Sequence, residues 1–231
     1  MRFSQLTAIV GCTTAALVPI APVQAEAATF QVESGVTSVY HDLNFLSSIG
    51  LNLTGTNNTV EPITSNFLVG FDILPDTNFT FSEVGGFTPL SGTIKHIGTV
   101  TFNNQITVGN FVIYFEPRRS VNNTSGLVLR DTVSLNTVLF DLSIPETVAF
   151  DSKNLTIANV KLLISPEFAS ILGNSKLTGV LGGTARIDAQ VVPVAAVPEP
   201  ATVPAILAGG VALLATKRAT KLRKSKDYVS C

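Results

Sequence analysis

Tryptophan is absent from this 231-residue chain, methionine occurs once, and cysteine and histidine occur twice each. The cysteines, Cys12 and Cys231, stand near the two ends, and the histidines, His41 and His96, are 55 residues apart. Both cysteines lie in segments expected to be removed on maturation, and this disfavours a His/Cys metal centre or a Cys–His nucleophile pair. A Gly-x-Ser-x-Gly elbow, a Walker loop and a dinucleotide fingerprint are all missing. With no tryptophan and three tyrosines, the chain is poor in the rings on which sugar-binding platforms rely, and its 14 phenylalanines are expected in a core. No repeat of 20 to 50 residues occurs, which argues against a solenoid.

Charge is sparse, 13% of residues, and unevenly placed. Six basic residues, Lys217, Arg218, Lys221, Arg223, Lys224 and Lys226, crowd the last fifteen positions. Just before them, residues 201–216 carry no charge. Sixteen residues at ~1.5 Å rise make a helix of about 24 Å, short for a hydrocarbon core of roughly 30 Å, and snorkelling of Lys217 and Arg218 covers the difference. Pro204 and Gly209-Gly210 weaken it as a permanent anchor. Residues 206–215 are apolar on every side, which disfavours a core helix or one lying on the surface. The basic cluster places 217–231 in the cytoplasm and everything before the span outside.

The opposite end agrees with export. Arg2 is followed by an apolar stretch over 6–18, a break at Pro19 and Pro22, and Val23-Gln24-Ala25 as a small-residue cleavage site, with cleavage expected after Ala25 and Ala27 a near-equal alternative. Ile9-Val10-Gly11-Cys12 superficially fits a lipoprotein box, but the apolar run continues past it to Val18. The expected organisation is a signal peptide over 1–25, a folded domain over 26–192, a Pro-rich linker over 193–200, a membrane helix over 201–216 and a cytoplasmic tail over 217–231. Export uses the Sec translocon, the precursor is a single-pass protein of the plasma membrane, and the mature form lies in the periplasm, on the cell surface or outside.

Pro198-Glu199-Pro200 ahead of a short span and a basic tail, with a secretory signal at the other end, resembles the PEP-CTERM sorting signal of Gram-negative bacteria. The resemblance implies recognition by an exosortase, a membrane-embedded processing enzyme, and removal of the span. The body resembles uncharacterised cyanobacterial proteins that bear this signal, a group with no activity to carry over.

With both ends removed, no cysteine remains and stability must come from the core. Arg2 and the six tail residues account for seven of fifteen basic residues, and Glu199 and Asp227 for two of sixteen acidic ones. The body over 26–197 then holds eight basic and fourteen acidic residues, a net charge of −6. Nucleic acid and anionic lipid are poor partners for such a body.

Residues 26–192 are rich in Val, Ile, Thr and Phe, with turn signals every eight to twelve residues, which predicts an all-β domain: an antiparallel β-sandwich or open barrel with one or two short helices. Strands are expected over 29–40, 60–69, 127–133, 138–142, 155–164 and 185–192. Residues 91–102 place Ile94, Val100 and Phe102 on one face and Thr93, Lys95, Thr99 and Thr101 on the other. Asn103-Asn104 then turns the chain into a returning strand over 106–115. Helices are expected over 42–49, capped by Asp42 and ended by Gly50, and over 166–172, capped by Ser165 with Pro166 in the first turn and ended by Gly173.

Candidate sites in the body are few. His96 falls on an apolar strand face, where a core histidine with satisfied nitrogens is the expectation. His41 precedes Asp42 at a strand-to-helix turn, where a local hydrogen bond is favoured over a general base. Asp72, Asp76 and Asn78 lack the spacing of an EF-hand loop and read as an acidic turn, with a calcium cage as the alternative. Arg118-Arg119 reads as a solvated loop, with an anion contact as the alternative. Asn52, Asn57, Asn78, Asn122, Asn123 and Asn154 each open an Asn-x-Ser/Thr triplet, read as chance in an Asn- and Thr-rich chain. No catalytic, cofactor or metal site is expected. A non-enzymatic surface or matrix role is favoured, a module binding an extracellular polysaccharide or small ligand is the alternative, and a carboxylate-dependent hydrolase is the third possibility.

Overall fold

The structure, a computed structural model, describes residues 28–194. The expected signal peptide with Ala25, Pro198-Glu199-Pro200, the expected span over 201–216 and the basic tail from Lys217 to Lys226 lie outside the described residues. Among the described residues no helix is long and apolar enough to cross a membrane.

The chain is mostly strand. In order come β1 (Thr29–His41), α1 (Leu43–Ser48), β2 (Leu53–Asn57), β3 (Val69–Ile73), β4 (Thr80–Ser82), β5 (Thr88–Ser91), β6 (Thr93–Ile97) and β7 (Thr99–Phe102). There follow β8 (Ile106–Gly109), β9 (Val112–Phe115), β10 (Thr124–Arg130), β11 (Val138–Ser143), β12 (Thr147–Phe150), β13 (Asn154–Ile164), α2 (Pro166–Ile171) and β14 (Leu181–Val194). Eight of these strands close into an antiparallel ring, β1-β14-β13-β11-β10-β9-β6-β3 and back to β1. Closure removes the free edges that a sandwich would leave on these strands. The β3–β6 seam is the thinnest, with Asp72 opposite Ile97 and Ile73 opposite His96.

Period-two alternation sets the interior. Along β14, Ala185, Ile187, Ala189 and Val191 are buried while Thr184, Arg186, Asp188 and Gln190 face out. Across from it, β1 carries a bulge at Glu33, where Val32 pairs with Val191 and Ser34 with Gln190. The extra residue flips the alternation: Phe30 and Val32 point inward before it, Thr37, Val39 and His41 after it.

Three strands, β1, β13 and β14, run past the ring. At that end β4 and β5 extend from β1 and β12 from β13, leaving two separate edges rather than a closed wall. Aromatic rings bridge them: Phe30 and Phe150 meet edge to face at 4.6 Å, and Phe81 and Phe150 at 5.6 Å. The ring is thus barrel at one end and sandwich-like at the other, which combines the two expected architectures.

The expected hairpin over 91–115 is present, with a bend. Gly98 at φ +117° and Asn110 at φ +44° interrupt both arms, and the Asn110 backbone N–H donates to Gly98 O at 2.8 Å. Below the bend β6 and β9 belong to the ring; above it β7 and β8 form a separate sheet with β2. A side chain at Gly98 would meet Asn58 O at 2.7 Å, so glycine is required there on both counts. The turn uses Asn103 and Asn104, both at φ +54°.

Both helices sit where expected. Asp42 accepts from the Phe45 N–H at 2.9 Å and Ser165 from the Phe168 N–H at 3.0 Å, while Gly50 and Gly173 follow at positive φ. The strand expected over 60–69 is instead a loop with a single bridge, Val60 to Gly70, and the strand begins at Val69. That loop packs on β1 from outside, with the Ile63 N–H donating to Ser38 Oγ at 3.0 Å, so its apolar residues answer to packing rather than to a ladder. The strand expected over 127–133 stops at Arg130, because Asp131 turns the chain. In the stretch read as the start of the linker, Pro193 and Val194 remain in β14, opposite Phe30 and Thr29. Proline is tolerated because β14 pairs at this end with β1 alone, leaving its other side unbonded.

Candidate functional site

His41 ends β1 just below α1, and Gly183 stands directly across the ladder from it. Glycine is needed there because a side chain would run into Tyr40 O on the neighbouring strand, and the bulge at Glu33 aims the His41 ring inward. Only 6% of His41 is exposed, and neither ring nitrogen has a hydrogen-bond partner. The expected local hydrogen bond is not made, because the Asp42 carboxylate is spent capping α1. Its ring meets Phe102 edge to face at 6.4 Å and borders a cavity of about 20 Å³. Leu46, Leu51, Phe102, Phe111, Phe140 and Phe168 supply most of the remaining wall, so His41 is the one polar side chain in it. Burial pushes the His41 pKa down from 6.5 to about 4.

His96 also faces inward but is fully engaged. Its Nδ1 lies 2.9 Å from Phe111 O and its Nε2 2.7 Å from Thr37 Oγ1. A carbonyl only accepts, so the proton sits on Nδ1 and the Thr37 hydroxyl donates to Nε2. Burial lowers its pKa to about 4, with the bond to Phe111 acting in the other direction. This is the core histidine with satisfied nitrogens that the strand pattern suggested.

Arg118 is exposed, as expected, but Arg119 is not a solvated loop residue. Its guanidinium reaches Glu116 at 3.2 Å, Asp141 at 2.9 Å, and Glu167 at the start of α2. Partial burial opposes its charge, yet the bonds to Asp141 and Glu167 prevail and raise its pKa. Glu167 is held below the ordinary carboxylate range, burial again being outweighed, here by a backbone N–H and Arg119. An arginine clamped by three carboxylates has little capacity left for an anion; it ties the loop before β10 to β11 and α2.

The residues of the possible calcium cage are engaged separately. Asp76 pairs with Lys95 at 2.6 Å, Asn78 Oδ1 accepts from the Thr93 N–H at 2.8 Å, and Asp72 lies on β3. Among the described residues no group of three His, Cys, Asp or Glu side chains gathers as metal ligands would.

On the outside of β1, β14 and β13 runs a groove of about 340 Å³, walled on one side by Ile63 of the 58–68 loop. Its floor is mixed, with the polar side chains Ser34, Asn154, Thr156, Asp188 and Gln190 set among Val36, Leu155 and Ala189. Asp188 takes two bonds from Arg186, each 2.7 Å, and one from Thr156 at 2.9 Å. The groove is not legible in the sequence, since its residues come from three strands, the first of them more than 100 positions from the other two.

Asp131 was also invisible as a key residue. Fully buried, its carboxylate accepts from five backbone N–H groups, those of Gly109, Val133, Ser134, Leu135 and Asn136, at 2.7 to 3.1 Å. It holds the 131–136 loop onto β8 and is structural, not catalytic. The available clue was Asp-Thr-Val-Ser-Leu-Asn, a polar turn sequence that an alternation count reads straight through.

No family model matches the chain, and no curated protein does. Among solved structures it is similar to the C-terminal domain of HtaA from Corynebacterium glutamicum, with 12% identity and a TM-score of 0.47 over 70% of this chain and 99% of that one. A likeness this distant says nothing of ligand or activity.

Proposed function

We propose that the chain is an exported cell-surface or matrix protein, delivered by a PEP-CTERM type signal, whose barrel has a non-catalytic structural or interaction role. One observation supports this: β14 pairs through Val194 with Thr29, where β1 begins, so every described residue of the barrel precedes Pro198. Removal of everything beyond the linker takes no residue from the barrel, as a temporary sorting segment requires. Before processing, the span and the basic tail hold the precursor in the plasma membrane, where an exosortase-type enzyme acts on it. Intact-mass measurement of the extracellular protein tests the proposal. The expected product lacks residues up to about Ala25 and those beyond about Pro200; Tyr228 or Cys231 on the mature protein overturns it.

A second reading, a module that binds extracellular polysaccharide, is favoured by the outer groove. Amide and carboxylate side chains above an extended sheet, with Ile63 at the rim, suit hydroxyl groups and an apolar sugar face. Pull-down with isolated exopolysaccharide tests it, and a Gln190→Ala/Asn154→Ala double variant is expected to bind several-fold less.

A further inference from the structure

Three places in the fold stand out: the outer groove, the aromatic cleft at the open end, and the cavity beside His41. In the groove, Asp188, Asn154 and Ser34 already bond to neighbouring side chains. The cleft, lined by Phe81, Phe87 and Phe150 with Glu83 at its rim, lacks any buried polar group directed into it. The His41 cavity combines an enclosed apolar wall with an imidazole whose two nitrogens are unused.

We propose that this cavity is a binding site for a small neutral aromatic molecule bearing a single hydroxyl, a phenol, which donates its O–H to the unprotonated ring nitrogen of His41. The chemistry follows from the walls. No charged side chain lines the cavity, so a charged ligand would be desolvated without compensation. Water is a poor occupant, since it seeks about three polar partners and finds one side chain. Phe102, Phe111, Phe140 and Phe168 offer edges and faces to an aromatic ring. A neutral imidazole offers one acceptor nitrogen, which fixes the orientation of a single O–H.

At about 20 Å³ the cavity fits the hydroxyl end alone. The ring is admitted by an outward shift of the wall made by Leu46 of α1 and Leu51 after it. That wall rests on a short element: α1 has six residues, and the segment after it is held to the small sheet by Asn103, which bonds Gly50 O at 2.7 Å and the Asn52 N–H at 3.0 Å.

The test uses the whole chain labelled with 15N-histidine, which shows two imidazoles because the sequence holds two histidines. Phenol and toluene, close in shape and differing in the hydroxyl, are titrated at pH 7 with free concentrations set by dialysis. Phenol is expected to shift the His41 ring nitrogens and leave those of His96 in place. It is also expected to bind about tenfold more tightly than toluene, the worth of one net hydrogen bond. His41→Phe is expected to abolish that preference. Leu46→Ala, which widens the cavity and leaves His41 intact, is expected to tighten phenol binding and decides the matter should His41→Phe not fold. Unmoved His41 signals at saturating phenol, equal binding of the two probes, or equal shifts at His41 and His96 overturn the proposal.

Discussion

His41 and His96 lie in one barrel, are both buried, and are both pushed to about 4, yet their neighbourhoods differ in every other respect. Around His96, Thr37 and Phe111 satisfy both nitrogens and the ring stitches β1 and β6 to the residue leading into β9. Around His41 the same ring meets hydrocarbon alone. Burial sets the titration of both; partners decide whether an imidazole holds the fold together or stays available to something else.

The largest effect is expected from acid. Above pH 6.5 both rings are neutral in folded and unfolded chains. Between 6.5 and about 4 the unfolded chain binds a proton on each histidine that the folded chain refuses, so stability falls as pH falls and levels off below 4. The full loss is about 3 kcal/mol per histidine, readable in urea melts at steps between pH 7 and 4. His41→Phe and His96→Leu should each remove one share of that slope; a slope unchanged in both variants refutes the assignment. Next, His96→Leu at pH 7 strands the Thr37 hydroxyl in the core and leaves the Phe111 carbonyl with the backbone N–H of residue 96 alone, and is expected to cost about 1–3 kcal/mol. Thr37→Val, nearly isosteric, leaves Nε2 unpaired and should cost about 1–2 kcal/mol, with the double variant well short of the sum. The smallest effect has the opposite sign: His41→Phe exchanges an unsatisfied ring for an apolar one and should raise stability by about 1 kcal/mol. A loss there as large as that of His96→Leu would erase the contrast.

Much of the architecture is legible in the amino-acid order. The caps of α1 and α2 announce themselves because Asp42, Ser165, Pro166, Gly50 and Gly173 act within a turn of the residues they satisfy. Of the long strands, β14 shows sustained alternation, and β1 and β13 show it in stretches between register shifts. What stays hidden depends on distant partners. The three- to five-residue strands β2, β3, β4, β5 and β12 are too short to show a period, and the loop over 58–68 is as apolar as a strand because it roofs one. The site divides the same way. His96 was legible from its face on β6, whereas the inward turn of His41 depends on the one-residue bulge at Glu33, and its apolar surroundings on phenylalanines as distant in sequence as Phe140 and Phe168. Asp131 was read through as part of a strand over 127–133, and Arg119 appeared as a solvated loop charge because Asp141 and Glu167 come from other elements.

The pairing of Thr29 with Val194 has a mechanical consequence. First and last strands share twelve paired positions and leave the domain side by side. Tension applied between those two points loads the β1–β14 hydrogen bonds one at a time, as a zipper is opened, rather than all together in shear. A domain tethered through both ends would therefore peel apart under modest force, whereas the same domain released from one tether, as processing would release it, carries no load across that seam.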